Sequence, residues 1–153
     1  KGASGNQVLA DRKFTNEMHD LVTQSLNTPS QSSANPTQII AQVSKPWGAV
    51  IDIQSEIDRR IERRKLSPIA TQTVTDVLEE AITNAVKHGG AEKVWLIVKG
   101  KSSNTLKLQV KNNGAPMGKL KRQSAGTKLF NQSGVWSISN KNGLVVFKIQ
   151  IAI

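Results

Sequence analysis

Apolar positions recur at helical spacing in two stretches near the start of the chain. In residues 7–27 the apolar side chains lie three or four positions apart, which predicts an amphipathic helix. Residues 37–65 repeat this spacing and predict a second helix, with a kink or a restart at Pro46 and Ser44 as the cap. Proline and small polar residues between the stretches indicate a loop. The two predicted helices therefore form a hairpin.

The pattern of the remaining chain predicts one more helix and then a sheet. Residues 71–88 keep the i, i+3, i+4, i+7 spacing throughout, and Gly89 and Gly90 follow as a stop signal. Short apolar runs and strict alternation then predict four strands, residues 93–98, 105–111, 133–139 and 143–153. A long polar loop is predicted between the second and third of these strands. The element order indicates an α+β fold, a helical layer on a largely antiparallel sheet.

The composition excludes several kinds of site and anchor. The 153 residues contain no cysteine, which excludes disulfides and thiolate metal sites. No apolar run reaches the roughly 18 residues that a membrane span needs. The chain does not begin with methionine, so we expect a fragment of a longer protein, with any membrane or sensor region upstream. The chain itself is expected to be cytoplasmic.

The charge is positive and unevenly distributed. The net charge is +10, and no aspartate or glutamate follows Glu92. Such a field attracts phosphates, whether they belong to a nucleotide, a nucleic acid or a membrane surface. An ordinary solvated surface explains the charge equally well, and charge alone favours that interpretation.

Four polar residues of the third predicted helix share a face. Glu80, Asn84, Lys87 and His88 lie at i, i+4, i+7 and i+8, roughly opposite the apolar stripe. An ordinary solvent face would also be polar, but asparagine is a poor helix former. A carboxylate and an amide oxygen one turn apart are suited to a hydrated Mg²⁺ beside a triphosphate, and Lys87 is suited to neutralising phosphate charge.

The segment VLEEAITNAVKHGGAEKVWLIV resembles the N-box of the GHKL superfamily, in the form found in sensor histidine kinases. The resemblance implies a Bergerat-type ATP-binding fold, a two-layer α/β sandwich, with ATP and Mg²⁺ as ligands. It implies that Glu80 polarises its target or accepts a proton and that Asn84 binds the Mg²⁺ of ATP. Lys87 and His88 would then lie near the phosphates.

Two later segments resemble the other nucleotide boxes of this family, so that the resemblance covers about residues 70–153. LKLQVKNNGAP is similar to the adenine-binding box, in which an aspartate accepts a hydrogen bond from the adenine amino group. Asn112 stands at that position here, Gly114 matches the first glycine, and Pro116 replaces the second. The amide oxygen of an asparagine can accept the same bond, but without charge.

The segment SAGTKLF is similar to the later glycine box. Ser124 replaces its first glycine, whereas Gly126 remains. Gly126 and Thr127 are candidates to offer backbone N–H groups to phosphate. We expect the polar segment from Asn113 to about Ser124 to be a mobile lid over the nucleotide.

The first predicted helix resembles a phosphoacceptor box. His19, Asp20 and Gln24 in FTNEMHDLVTQSL have the spacing of the histidine kinase class with a His-Asp motif. The resemblance implies that His19 accepts the γ-phosphoryl group and that Asp20 accepts a proton from its ring. An exposed histidine on a dimerisation helix is the alternative interpretation.

Three hypotheses follow for the whole chain. In the first, a helical hairpin (residues 7–66) forms a homodimer and carries His19, while an ATP-binding domain (residues 67–153) phosphorylates it for transfer to a response regulator. In the second, the same fold with degenerate boxes binds a nucleotide or a partner without turnover. The third is a basic nucleic-acid binder, which ranks last because the chain has no series of stacking aromatics.

Overall fold

The computed structural model describes residues 32–115 and 125–153. Residues 34–153 form one compact unit. The predicted helix of residues 7–27, with His19, lies outside the described residues, as does most of the predicted lid. No helix in the described ranges is long and apolar enough to cross a membrane.

The described chain forms a mixed five-stranded sheet with helices. Its elements are α1 (Pro36–Ser44), a 3₁₀ turn (Lys45–Trp47), β1 (Asp52–Ile57), α2 (Pro68–Thr83), a π-helical turn (Asn84–His88), β2 (Lys93–Ser102), β3 (Thr105–Asn112), α3 (Ala125–Ser133), β4 (Val135–Lys141) and β5 (Leu144–Ala152). The strand order is β1-β2-β3-β5-β4. β1 runs parallel to β2, and the other neighbours are antiparallel. The predicted α+β class and the four predicted strands are confirmed.

The predicted second helix is wrong beyond Ser44. The 3₁₀ turn that contains Pro46 ends the helix, and residues 52–57 form β1 instead. Isoleucines 51, 53 and 57 fit an alternating pattern as well as a helical one, and pairing with β2 decides between the two patterns. Nor does Ser44 cap a restarted helix, since its buried Oγ has no hydrogen-bond partner.

The predicted domain boundary after residue 66 lies inside the compact unit of residues 34–153. Ile39, Val43 and Leu66 are almost fully buried in the same core as α2 and the sheet. The Ala34 N–H donates to Thr71 Oγ1 at 3.1 Å, which links the segment before α1 to the first turn of α2. The compact unit therefore begins at residue 34, because the apolar face of α1 completes this core.

Side-chain caps fix the starts of both helices on this side of the sheet. Asn35 and Gln38 form a reciprocal capping box at α1, with Pro36 at its first position. Ser67 Oγ accepts from the Ala70 N–H at α2, and Pro68 follows the cap. Both signals are visible in the sequence, and they place the first residue of α2 three positions before the predicted start.

The two faces of the sheet differ in burial. Alternate side chains of β2, β3 and β5 point towards the helices and form the core, namely Val94, Leu96, Val98, Leu106, Leu108, Val110, Phe147, Ile149 and Ile151. The opposite face carries Trp95 and several lysines, including Lys99, Lys107, Lys111 and Lys148, on neighbouring strands. Part of the positive charge that follows Glu92 is thus gathered on the face away from the helices.

Helix α3 lies where the sequence predicts only a polar loop. An aromatic cluster packs it against the sheet, with ring centroids 4.5 Å apart for Phe130 and Phe147 and 5.4 Å apart for Phe130 and Trp136. The Trp136 indole N–H also donates to Asn131 Oδ1 at 2.8 Å. The helix is short and contains Gly126 near its start, so tertiary packing rather than intrinsic propensity stabilises it.

The buried position of α1 generates a test of the domain boundary. Ile39 is fully buried, so Ile39→Ala in the full chain should lower the free energy of unfolding by about 2–5 kcal/mol. Urea denaturation followed by circular dichroism measures this loss. Gln42→Ala, at an exposed position of the same helix, should change it by less than about 0.5 kcal/mol. Equal effects of the two variants would show that α1 is not part of the core.

Candidate functional site

Glu80 and Asn84 lie one turn apart where α2 passes into the π-helical turn. The Asn84 N–H donates to both the Ala81 and the Glu80 carbonyl oxygens, so Asn84 is still held by the last turn of α2. Both side chains are half-buried, and neither makes a hydrogen bond to another residue in the part of the chain that the structure describes. A carboxylate and an amide are therefore presented together with their hydrogen-bonding capacity unused.

The π-helical turn changes where the next two polar residues point. The Gly89 N–H donates to the Asn84 carbonyl at 3.2 Å, a bond that spans five residues rather than four. The α-helical spacing that predicts one shared face therefore holds only from Glu80 to Asn84. Lys87 and His88 follow in the wider turn as exposed side chains, and neither has an ion pair within residues 32–115 and 125–153.

Partial burial also affects the carboxyl group next to Glu80 in sequence. It raises the pKa of Glu79 above its usual value, and the nearby negative charge of Asp76 raises it further. Glu79 thus holds its proton more tightly in the folded state than in the unfolded chain. The neighbouring Glu80 lies against another of the predicted site residues, Gly126.

A backbone hydrogen bond joins the end of the π-helical turn to the end of β3. The Ala115 N–H donates to the Gly89 carbonyl at 2.7 Å. A Cβ at Gly114 would lie 2.6 Å from that same carbonyl oxygen and 2.9 Å from Asn112 Oδ1, so only glycine fits. Gly90 ends the turn with a φ of +63°. Gly114 is thus required for the close approach of two backbone segments.

Two adjacent asparagines order the loop after β3. Asn112 is 6% exposed, and its Oδ1 accepts from the Gly114 N–H at 2.8 Å. Asn113 Oδ1 accepts from the N–H groups of Glu92 and Lys93, both at 2.9 Å. The sequence predicts a role for Asn112 and none for Asn113, although asparagines that bond to nearby backbone are typical of turns.

The first turn of α3 lies directly against Glu80. A Cβ at Gly126 would come within 2.6 Å of Glu80 Oε2 and 3.1 Å of its Cδ. Thr127 follows in the same turn and is half-buried. Because the start of a helix presents N–H groups and partial positive charge, it suits a neighbouring carboxylate or phosphate. The structure thus brings the segments of the first and the last predicted boxes into contact.

Some predicted features lie outside this assembly. His19, Pro116 and Ser124 are not among the described residues, and of the predicted lid only residues 113–115 are. Two open grooves, of about 370 and 590 Å³, lie elsewhere on the described surface. One lies beside Trp95 on the outer face of the sheet, and the other lies between the end of α1 and the start of β1. No predicted site residue lines either groove.

Comparison with known proteins identifies this arrangement of elements. Residues 70–147 match the family described as histidine kinase-, DNA gyrase B- and HSP90-like ATPase. No curated protein matches the chain significantly in sequence. Solved structures of low sequence identity resemble it, and a likeness at such identity indicates a shared fold and nothing more.

Three of these structures show how far the likeness extends. The ATP-binding domain of PrrB from Mycobacterium tuberculosis is 17% identical, with a TM-score of 0.60, over 79% of this chain and 96% of that one. The Acinetobacter baumannii histidine kinase AdeS is 18% identical, with a TM-score of 0.57, and the match covers 99% of this chain and 85% of that one. Full-length ShkA in complex with AMPPNP is 15% identical, with a TM-score of 0.57, and the match covers 79% of this chain but only 31% of ShkA.

Alanine substitution at two glycines of the site should lower the free energy of unfolding by unequal amounts. Gly114→Ala places a methyl group against backbone, so it should lower the free energy of unfolding by about 1–3 kcal/mol. Gly126→Ala meets only the movable end of the Glu80 side chain, so it should change that value by less than about 1 kcal/mol while displacing the carboxylate. Urea denaturation compares the two variants. Equal losses would contradict the described contacts.

Proposed function

Because the chain belongs to the family of histidine kinase-, DNA gyrase B- and HSP90-like ATPases, we propose that it is the kinase core of a sensor histidine kinase. Residues 34–153 bind ATP with Mg²⁺ in this proposal, and the preceding segment carries the phosphoacceptor. The match covers residues 70–147, which include all the predicted nucleotide boxes. The solved histidine kinase structures support the same fold.

The observation that carries this proposal is the contact of Gly126 with Glu80, one turn before Asn84. It unites a carboxylate, an amide oxygen and the first turn of a helix from segments that are far apart in the sequence. None of these groups contributes to the apolar core, and the Glu80 and Asn84 side chains have no hydrogen-bond partner among the described residues. Unused polar groups at the meeting point of two elements are typical of a ligand site.

The donor set suits a magnesium ion bound together with phosphate. Mg²⁺ prefers hard oxygen ligands and keeps several of its waters, so a single amide oxygen from the protein is sufficient. Asn84 would supply that oxygen, and the ion would neutralise phosphate charge. Glu80 is placed to orient or accept a proton, and the first turn of α3, with Gly126 and Thr127, to donate N–H groups to phosphate. Lys87 and His88 would add positive charge from the exposed side of the turn.

The phosphoacceptor part of the proposal rests on the sequence alone. His19 with Asp20 and Gln24 has the spacing of a His-Asp phosphoacceptor box. The predicted helix of residues 7–27 would form the homodimer, and an aspartate of a response regulator would receive the phosphoryl group. Residues 37–65 do not supply the second helix of a hairpin, since they contribute α1 and β1 to the compact unit.

A second function is favoured by one observation at the end of β3. Asn112 Oδ1 already accepts the Gly114 N–H, so this position lacks the free acceptor that the aspartate of the family provides. A chain with such a site could bind a nucleotide or a partner without turnover. Nucleotide binding without phosphorylation of the chain would distinguish this function from the kinase.

Mg²⁺-dependent nucleotide binding tests the site. Isothermal calorimetry should detect ADP or ATP binding that is weaker than in a typical family member and strengthened by Mg²⁺. Asn84→Ala should reduce the Mg²⁺-dependent gain at least about tenfold, because it removes the amide ligand. Asn104→Ala, at an exposed turn position just before β3 and at the other end of that strand from Asn112, is the control and should retain the gain. Absence of nucleotide heat at millimolar ligand would refute ATP binding.

Labelling tests the phosphoacceptor. Incubation with γ-labelled ATP should place phosphate on His19, stable in alkali and labile in acid, as expected for a phosphorylated imidazole. His19→Gln should remove all of the label and leave nucleotide affinity unchanged, since the residue precedes the compact unit. Label that persists on this variant would mean that His19 is only a surface residue, and a chain that binds nucleotide but takes no label would support the second function.

A further inference from the structure

The amide of Asn112 is held in one orientation. The side chain is 6% exposed, and its Oδ1 accepts from the Gly114 N–H at 2.8 Å. A backbone N–H is a donor, so only the oxygen of the amide can face it. The same loop is fixed by the Ala115 N–H bond to the Gly89 carbonyl. Rotation of the amide would set Nδ2 against the Gly114 N–H, two donors with no acceptor between them.

The other half of this amide is an unused donor. No hydrogen bond joins Nδ2 to another residue of the described chain. Nδ2 is also not fully buried. Among the described residues, the one fully buried side-chain polar atom without a hydrogen-bond partner is Ser44 Oγ, so Nδ2, which has no partner there, keeps some exposure. An amide that is almost wholly buried, and whose two Nδ2 N–H bonds meet no acceptor among the described residues, is suited to a ligand with an acceptor.

The position of Asn112 relates this donor to the proposed nucleotide site. Asn112 ends β3 between Val94 of β2 and Val145 of β5, and it shares its face with Val110 and Leu108. That is the face which the helices cover. Its loop is bonded to Gly89 directly after the π-helical turn, and that turn begins with Asn84. A purine held at the end of β3 would therefore meet the amide donor of Asn112.

We propose that Asn112 makes this site favour purines with an oxygen at position 6, guanine or hypoxanthine, over adenine. The inference rests on the proposed function, because it concerns the base of the nucleotide that the site binds. Adenine carries an amino group at position 6, which is a donor and would face the donor Nδ2. Guanine and hypoxanthine carry an acceptor there, O6. A matched against a mismatched pair at one buried position corresponds to about a tenfold difference in affinity.

One substitution should reverse this preference. In Asn112→Asp one carboxylate oxygen can keep the Gly114 N–H, while the other becomes an acceptor for the amino group of adenine. Asn113→Asp is a matched control, the same change one residue later. In the unsubstituted chain Asn113 Oδ1 accepts from the Glu92 and Lys93 N–H groups, and a carboxylate oxygen can accept the same two bonds. The control should leave the order of affinities unchanged.

Calorimetry of the full chain with ADP, GDP and IDP, each with Mg²⁺, tests the proposal. The unsubstituted chain should bind GDP and IDP about tenfold more tightly than ADP, Asn112→Asp should bind ADP most tightly, and Asn113→Asp should behave like the unsubstituted chain. IDP lacks the 2-amino group of GDP, so it isolates recognition of O6.

The outcomes separate the two proposals. If the unsubstituted chain binds ADP more tightly than GDP and IDP, the base preference is overturned while nucleotide binding stands. Tight GDP with weak IDP would assign the preference to the 2-amino group and would also overturn the inference. Absence of heat with all three nucleotides would refute the proposed function itself. The comparison among nucleotides on the unsubstituted chain is decisive even if the Asn112→Asp variant fails to fold.

Discussion

The site depends on the close approach of two backbone segments, the end of the π-helical turn and the loop after β3. The 2.7 Å bond from the Ala115 N–H to the Gly89 carbonyl closes this contact, and Gly114 permits it because any Cβ would collide with the same carbonyl. The contact fixes the segment that carries Asn84 and also the loop that orients Asn112. One glycine thus sets both the proposed phosphate end and the proposed base end of the site.

The two ends of the proposed site differ in how closely they follow the family pattern. At the phosphate end, Glu80 and Asn84 supply the carboxylate and amide that the pattern requires, and α3 places Gly126 against that carboxylate. At the base end an amide replaces a carboxylate, so one acceptor becomes a donor. Taken together, the two proposals describe a site that retains phosphate and metal binding while its selectivity for the base is altered.

The aromatic cluster explains how a chain with few aromatic residues keeps α3 in position. Phe130, Trp136 and Phe147 come from α3, β4 and β5, and their ring centroids lie 4.5 to 6.0 Å apart. Such contacts stabilise a short helix that its own sequence would not maintain in water. The first turn of α3 reaches Glu80 because the rest of the helix is anchored on the sheet. The position of Gly126 therefore depends on the aromatic contacts of Phe130, one turn further along α3.

Local patterns determined most of the elements: the periodic apolar stripe predicted α2, and short apolar runs and alternation predicted β2 to β5, because each pattern lies within its own segment. The spacing of Glu80 and Asn84 and the boxes around Asn112 and Gly126 also identified the family. Only the tertiary structure decided that residues 52–57 form a strand, since their partner is β2, which follows only after the whole of α2. It alone decided that α1 completes the core, that Gly114 permits a close backbone contact, and that the oxygen of the Asn112 amide accepts the Gly114 N–H. These features depend on hydrogen bonds and burial between distant segments, and no local pattern encodes such pairings.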